Sequence, residues 1–68
     1  MSRWTRLVES RRCAGLTQAQ LATHVGVLPM TVSRWERGAS RPSPAHLAAV
    51  ARVLDVDARW LVGAEQPG

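Results

Sequence analysis

The chain has a single cysteine, no lysine and no apolar run approaching the length needed to cross a membrane. Each absence excludes something. Cys13 alone cannot close an internal disulfide and has no thiol neighbour for a metal site, and His24 and His46 lie far apart without ligand spacing. No metal and no cofactor are therefore expected. Met1 to Cys13 is polar and carries no signal-peptide pattern, so a cytoplasmic chain without a membrane partner is expected. Strand signals are missing too, since no stretch alternates and no Asn-Gly or Asp-Gly turn occurs. There is no nucleophile paired with a base, no phosphate-cradling glycine loop and no ligand cluster, so neither an enzyme nor a small-molecule receptor is expected.

What remains is small, basic and helical. Sixty-eight residues make one domain near the lower limit for a self-sufficient core. All nine basic residues are arginine, against five acidic ones, for a net charge of +4. The rigid guanidinium fork suits phosphate oxygens and the guanine edge. No segment joins a basic face to a broad apolar one, which favours a nucleic acid over a membrane surface as the anionic partner. Trp4, Trp35 and Trp60 are the only aromatic residues apart from the histidines and are expected in the core or an interface.

The punctuation predicts five helices. Trp4, Leu7, Val8 and Arg11 recur at helical spacing over Ser2 to Cys13, and Gly15 ends that helix. Thr17 with Gln20 forms a capping box for a second helix whose apolar face is Leu21, Ala22 and Val25, with Gly26 at the turn. Pro29 suits the first turn of a third helix, with Val32 and Trp35 inward and Gly38 as its stop. Two prolines and two serines make Gly38 to Pro44 a loop. Ser43 caps a fourth helix striped by Leu47, Val50, Ala51 and Leu54, and Asp57 caps a short fifth carrying Trp60 and Leu61. The expected organisation is one domain over residues 1–63 and a short flexible tail over 64–68.

The segments Gly15-Leu-Thr-Gln-Ala-Gln-Leu-Ala22, Gly26 and Val32-Ser-Arg-Trp-Glu-Arg-Gly38 resemble the phage repressor and Cro type of helix-turn-helix domain, the xenobiotic-response-element family. The likeness continues through Arg41-Pro-Ser43 and Asp57-Ala-Arg-Trp-Leu-Val-Gly63. It implies an all-α, compact five-helix, lambda-repressor-like DNA-binding domain whose third helix enters the major groove of double-stranded DNA. Met30, Thr31 and Arg34 then point outward with Pro29 at the mouth. Arg34 is the candidate for a bidentate contact to guanine, Thr31 offers a hydroxyl and a methyl, and Met30 an apolar surface for a thymine methyl. Gln18, Arg37, Ser40 and Arg41 are expected on backbone phosphates. The resemblance also implies a structural ion pair between Arg11 and Glu36, with one edge of Arg11 left for phosphate, and a Trp60 that packs the fifth helix onto the core.

One point departs from the family pattern. Leu28 stands where the third helix usually has a serine, threonine or asparagine cap, at a cost on the order of 1 kcal/mol. Pro29 removes one N–H that would otherwise need a partner. The function expected is that of a small Cro-type repressor, dimeric through its last helix around Val56 to Val62 and bound to a palindromic operator. An antitoxin-like protein-interaction module with secondary DNA-binding autoregulation is the alternative.

Overall fold

The helices begin and end where local chemistry tells them to. In the computed structural model, which describes residues 4–63, they are α1 (Thr5–Cys13), α2 (Gln18–Val25), α3 (Pro29–Arg37), α4 (Pro44–Leu54) and α5 (Ala58–Gly63). Ser2, Arg3 and the expected tail over 64–68 lie outside the described residues. Helix α1 starts at Thr5, later than the spacing predicts, because Trp4 serves as its N-cap. The Trp4 side chain is buried, and the Trp4 backbone N–H donates to the Glu36 carbonyl at 3.4 Å.

The capping box at α2 is complete: Thr17 Oγ1 accepts from the Gln20 N–H at 3.0 Å, and Gln20 Oε1 accepts from the Thr17 N–H at 2.8 Å. Ser43 Oγ accepts from the His46 N–H at the start of α4, and Asp57 Oδ1 accepts from the Arg59 N–H at α5. Leu28 gives α3 no side-chain acceptor.

Three helices end in the same way. After α1, the N–H of Gly15 donates to Arg12 and that of Leu16 to Arg11; after α3, Gly38 donates to Trp35 and Ala39 to Arg34; after α4, Asp55 donates to Arg52 and Val56 to Ala51. Each is a Schellman closure with a left-handed residue at the turn. Asp55 takes that role with φ of 57°, the only non-glycine residue with positive φ among those described. Aspartate tolerates the region better than most residues.

Helix α2 packs against α3 and α4, α4 against α5, and α1 against both α3 and α5. The core gathers Trp4 and Leu7 of the first segment, Leu21 and Ala22, Val32 and Trp35, Val50, Ala51 and Leu54, and Leu61. Ala22 is wholly buried, where a larger side chain would force the helices around it apart. No described helix is long and apolar enough to cross a membrane.

Trp60 corrects an expectation. It is 41% exposed, and Leu61, at 0%, anchors α5 instead. Successive residues on a helix are rotated by about 100°, so Leu61 and Trp60 cannot both point into the core. Trp60 lies under the Arg6 guanidinium, 4.8 Å from the ring centroid, while Arg6 Nη1 donates to the Trp60 carbonyl at 2.6 Å. This cation–π contact and hydrogen bond tie α5 to α1. Cys13 falls on the solvent side at the end of α1 and is exposed.

Gly26 has φ of +86°, and a Cβ built there meets nothing within 4 Å. Replacement by alanine therefore meets no clash and carries only backbone strain. Gly26→Ala is expected to lower unfolding free energy by about 1–2 kcal/mol with an unchanged m-value, measured by urea denaturation.

Candidate nucleic-acid interface

Helix α3 divides into two faces. Val32, Trp35 and Glu36 are buried, whereas Pro29, Met30, Arg34 and Arg37 are exposed and Ser33 is partly so. At 3.6 residues per turn, positions 29, 30, 33, 34 and 37 share one side of the helix. With Gln18 from α2 they line a shallow open groove. The lining contains two arginines and no acidic residue. Thr31 is partly buried and sits outside the groove lining, on the other flank of the exposed face.

The only carboxylate of α3 is turned inward. Glu36 Oε2 accepts from Arg11 Nε at 2.6 Å, and Oε1 accepts from Arg11 Nη2 at 3.2 Å and from Gln18 Nε2 at 2.9 Å. Arg11 Nη1 donates to the Leu16 carbonyl at 2.8 Å. One buried pair thus joins α1, the loop after it, the start of α2 and the end of α3. It also removes a negative charge from a face that carries Arg34 and Arg37.

Arg11 uses three of its five guanidinium donors within the protein and its side chain is 11% exposed, which leaves one N–H on each of Nη1 and Nη2 for the expected phosphate contact. Gln18 is held within the protein as well. One amide hydrogen goes to Glu36, which fixes the side chain at the groove edge with its other polar atoms still available.

The remaining candidates fall around the end of α3. Arg37 Nε donates weakly to the Ser33 carbonyl at 3.4 Å, which lays the side chain back along its own helix. Ser40 is partly buried, its N–H directed at the Arg34 carbonyl, and Arg41 is exposed in the following loop. Ser33 was absent from the predicted site. Its signal was available: it stands one turn after Pro29 and one turn before Arg37 on the same side. His46 packs in the first turn of α4 with its ring 5.6 Å from that of Trp35, behind the recognition face. Among the described residues, no three His, Cys, Asp or Glu gather as metal ligands.

A five-helix bundle that displays the second helix of an α2–turn–α3 unit in this way defines the helix-turn-helix class. The helix-turn-helix family model matches residues 8–61, and the chain belongs to that family, in its phage repressor and Cro form. It is similar to the P22 c2 repressor protein solved in complex with a synthetic operator, at 28% identity and a TM-score of 0.83, over 90% of this chain and 92% of that one. It is similar also to the solution structure of the DNA-binding domain of the P22 c2 repressor, at 27% identity and a TM-score of 0.83, over 97% of this chain and 88% of that one. A search of curated proteins gave no significant match.

Removing one member of a buried ion pair leaves the other charged and unpaired. Arg11→Met and Glu36→Leu are each expected to lower stability by about 3 kcal/mol, and the double substitution by clearly less than the sum of the two. Urea unfolding of the four proteins checks the cycle, with additive losses contradicting a coupled pair.

Proposed function

We propose that this chain is a sequence-specific double-stranded DNA-binding protein, a transcriptional regulator of the small Cro-type repressor kind that acts as a dimer on a palindromic operator. The observation that carries the reading is the exposed face of α3, where arginine, serine and methionine side chains project around one groove while the acidic residue of the same helix is neutralised beneath it. Membership of the helix-turn-helix family and the likeness to a repressor solved with its operator support it.

On this reading α3 lies in the major groove. Arg34, exposed near the middle of the face, donates both hydrogen-bonding edges to guanine O6 and N7. Met30, Pro29 and Thr31 contact neighbouring base edges. Gln18, Arg37, Ser40 and Arg41 engage phosphates on either side and fix the docking register without reading sequence. Ser33 joins them from within the groove. Repression follows from occupying the operator, and no chemical step is required.

The dimer is supported by a second surface. Leu47 of α4 and Ala58, Arg59, Val62 and Gly63 of α5 border an open, mostly apolar groove on the C-terminal side. Pairing two copies there would cover it and set two α3 helices to read half-sites about 34 Å apart, one turn of DNA.

Selection of bound duplexes from a random library tests the proposal, and a two-fold symmetric motif is the expected result. A pool without any preferred motif contradicts sequence-specific regulation by this protein. Arg34→Ala is expected to weaken binding to the selected duplex by about 1–3 kcal/mol and to relax preference at one base position. Arg41→Ala should weaken specific and non-specific duplexes alike and reduce the salt slope by about one. Fluorescence anisotropy at several salt concentrations separates the two behaviours.

A further inference from the structure

The ends of α1 and α4 leave a groove between them. Ser10, Cys13 and Ala14 lie along one side and Leu54 and Val56 along the other, around a space of about 340 Å³. Helix α1 packs mainly on α3 and α5, so helix packing does not close this seam. Its size is at the low end of the roughly 300–1,000 Å³ typical of small-molecule sites. The lining is mostly apolar and carries no charged residue. Two of its groups carry chemistry. Cys13 is a free, exposed thiol. Ser10 precedes it by three positions, which puts hydroxyl and thiol on one side of α1 with Cβ atoms about 5–6 Å apart. Ser10 is only 9% exposed, yet its side chain makes no hydrogen bond to any described residue. Among the described residues, no polar side-chain atom is sealed from solvent without a partner. The Ser10 hydroxyl therefore opens onto the groove, where the amide or carbonyl of a ligand would satisfy it.

We propose that Cys13 is a thiolation site: a low-molecular-weight thiol with an amide near its sulfur joins Cys13 through a disulfide, seats in this groove and weakens DNA binding. The effect on DNA rests on the DNA-binding reading above. The step is thiol–disulfide exchange with the symmetric disulfide of that small thiol. The Cys13 thiolate attacks one sulfur, a new S–S bond forms as the small disulfide's own bond breaks, and the departing thiolate takes up the proton that Cys13 gave up. Excess small thiol reverses the exchange. The seated group lays its methylenes on Leu54 and Val56 and directs its amide at Ser10. Its consequence travels through the turn that follows Cys13. There the Gly15 N–H donates to Arg12 and the Leu16 N–H to Arg11, while the Leu16 carbonyl accepts from Arg11 Nη1 at 2.8 Å. Through Arg11 this turn reaches Glu36, and through Glu36 it reaches Gln18 at the edge of the α3 face. A group wedged between the last turn of α1 and Leu54 displaces that turn, because close-packed elements shift rather than compress.

The test uses the whole chain and glutathione disulfide, since glutathione has amides on both sides of its sulfur-bearing residue. Intact-mass spectrometry is expected to show one glutathionyl group on the wild type, none on Cys13→Ser, and its loss on treatment with dithiothreitol. Fluorescence anisotropy with the selected duplex reads the consequence. The adduct is expected to bind at least about five-fold more weakly than the unmodified protein, with recovery on reduction, while Cys13→Ser binds equally with and without glutathione disulfide. Ser10→Ala separates a built site from any exposed thiol. It is expected to raise about five-fold the ratio of disulfide to thiol needed for half-modification, the loss of one hydrogen bond, while reaction with methyl methanethiosulfonate, which has no amide, is unchanged. Equal ratios for wild type and Ser10→Ala would overturn the proposal. So would a disulfide-linked pair of chains in place of the glutathionyl adduct, or an adduct that binds the duplex as tightly as the unmodified protein. Unmodified protein that prefers no duplex contradicts the DNA-binding reading and the regulatory effect with it, and the Ser10-dependent adduct alone then decides the site.

Discussion

The structure depends on a charge pair placed where charges are costly. Arg11 and Glu36 are both buried, and water is replaced around them by four hydrogen bonds that run between α1, the Leu16 carbonyl, Gln18 and the end of α3. Burying such a pair is not in itself a large source of stability, since desolvation offsets most of the attraction. Its effect is positional. A carboxylate that accepts from two helices at once admits few arrangements of those helices, and the arrangement adopted sets Gln18 against the edge of the α3 face. The same pair decides the electrostatics of that face. With Glu36 neutralised from below, α3 offers solvent only neutral and positive groups.

Around this fixed point, the chain uses short-range signals to keep five brief helices in place. Thr17, Ser43 and Asp57 start helices by accepting backbone N–H groups, and Gly15, Gly38 and Asp55 end them with left-handed closures. Helices of six to eleven residues have little stability alone. Each therefore needs both its ends and its buried stripe. The exception is the entrance to α3, where Leu28 supplies neither a cap nor a buried side chain. This helix end, which forgoes both a cap and a buried side chain, lies on the face proposed to meet DNA.

Much of this was legible from the residues. The capping box, the turn glycines and the inward pair Val32 and Trp35 each follow from a pattern within a few positions, and the all-α, five-helix fold follows from them. The Arg11–Glu36 pair came through family resemblance, because its members are 25 residues apart and nothing local relates them. The hydrogen bond from Gln18 to Glu36 was hidden for the same reason, across 18 residues. Trp60 was misread because a helix of six residues has too few turns for its periodicity to fix a face, and the partner that holds the ring outside, Arg6, lies 54 positions away. Asp57 was legible as the cap of α5, whereas Asp55 gave no sign that it ends α4 in a left-handed turn. The same residue type serves both roles, so composition alone could not separate them.

One face, made of α3 and the start of α2, is the surface proposed to engage DNA. Titration of uniformly ¹⁵N-labelled protein with its selected duplex, followed by heteronuclear NMR, tests this most directly. Amide and side-chain shifts are expected to change most at Gln18, Met30 through Arg37, Ser40 and Arg41, with the Arg11 and Gln18 side-chain signals retaining the protection of their bonds to Glu36. A specific complex that left α3 unperturbed, with its largest changes confined to α1 or α4, would contradict it.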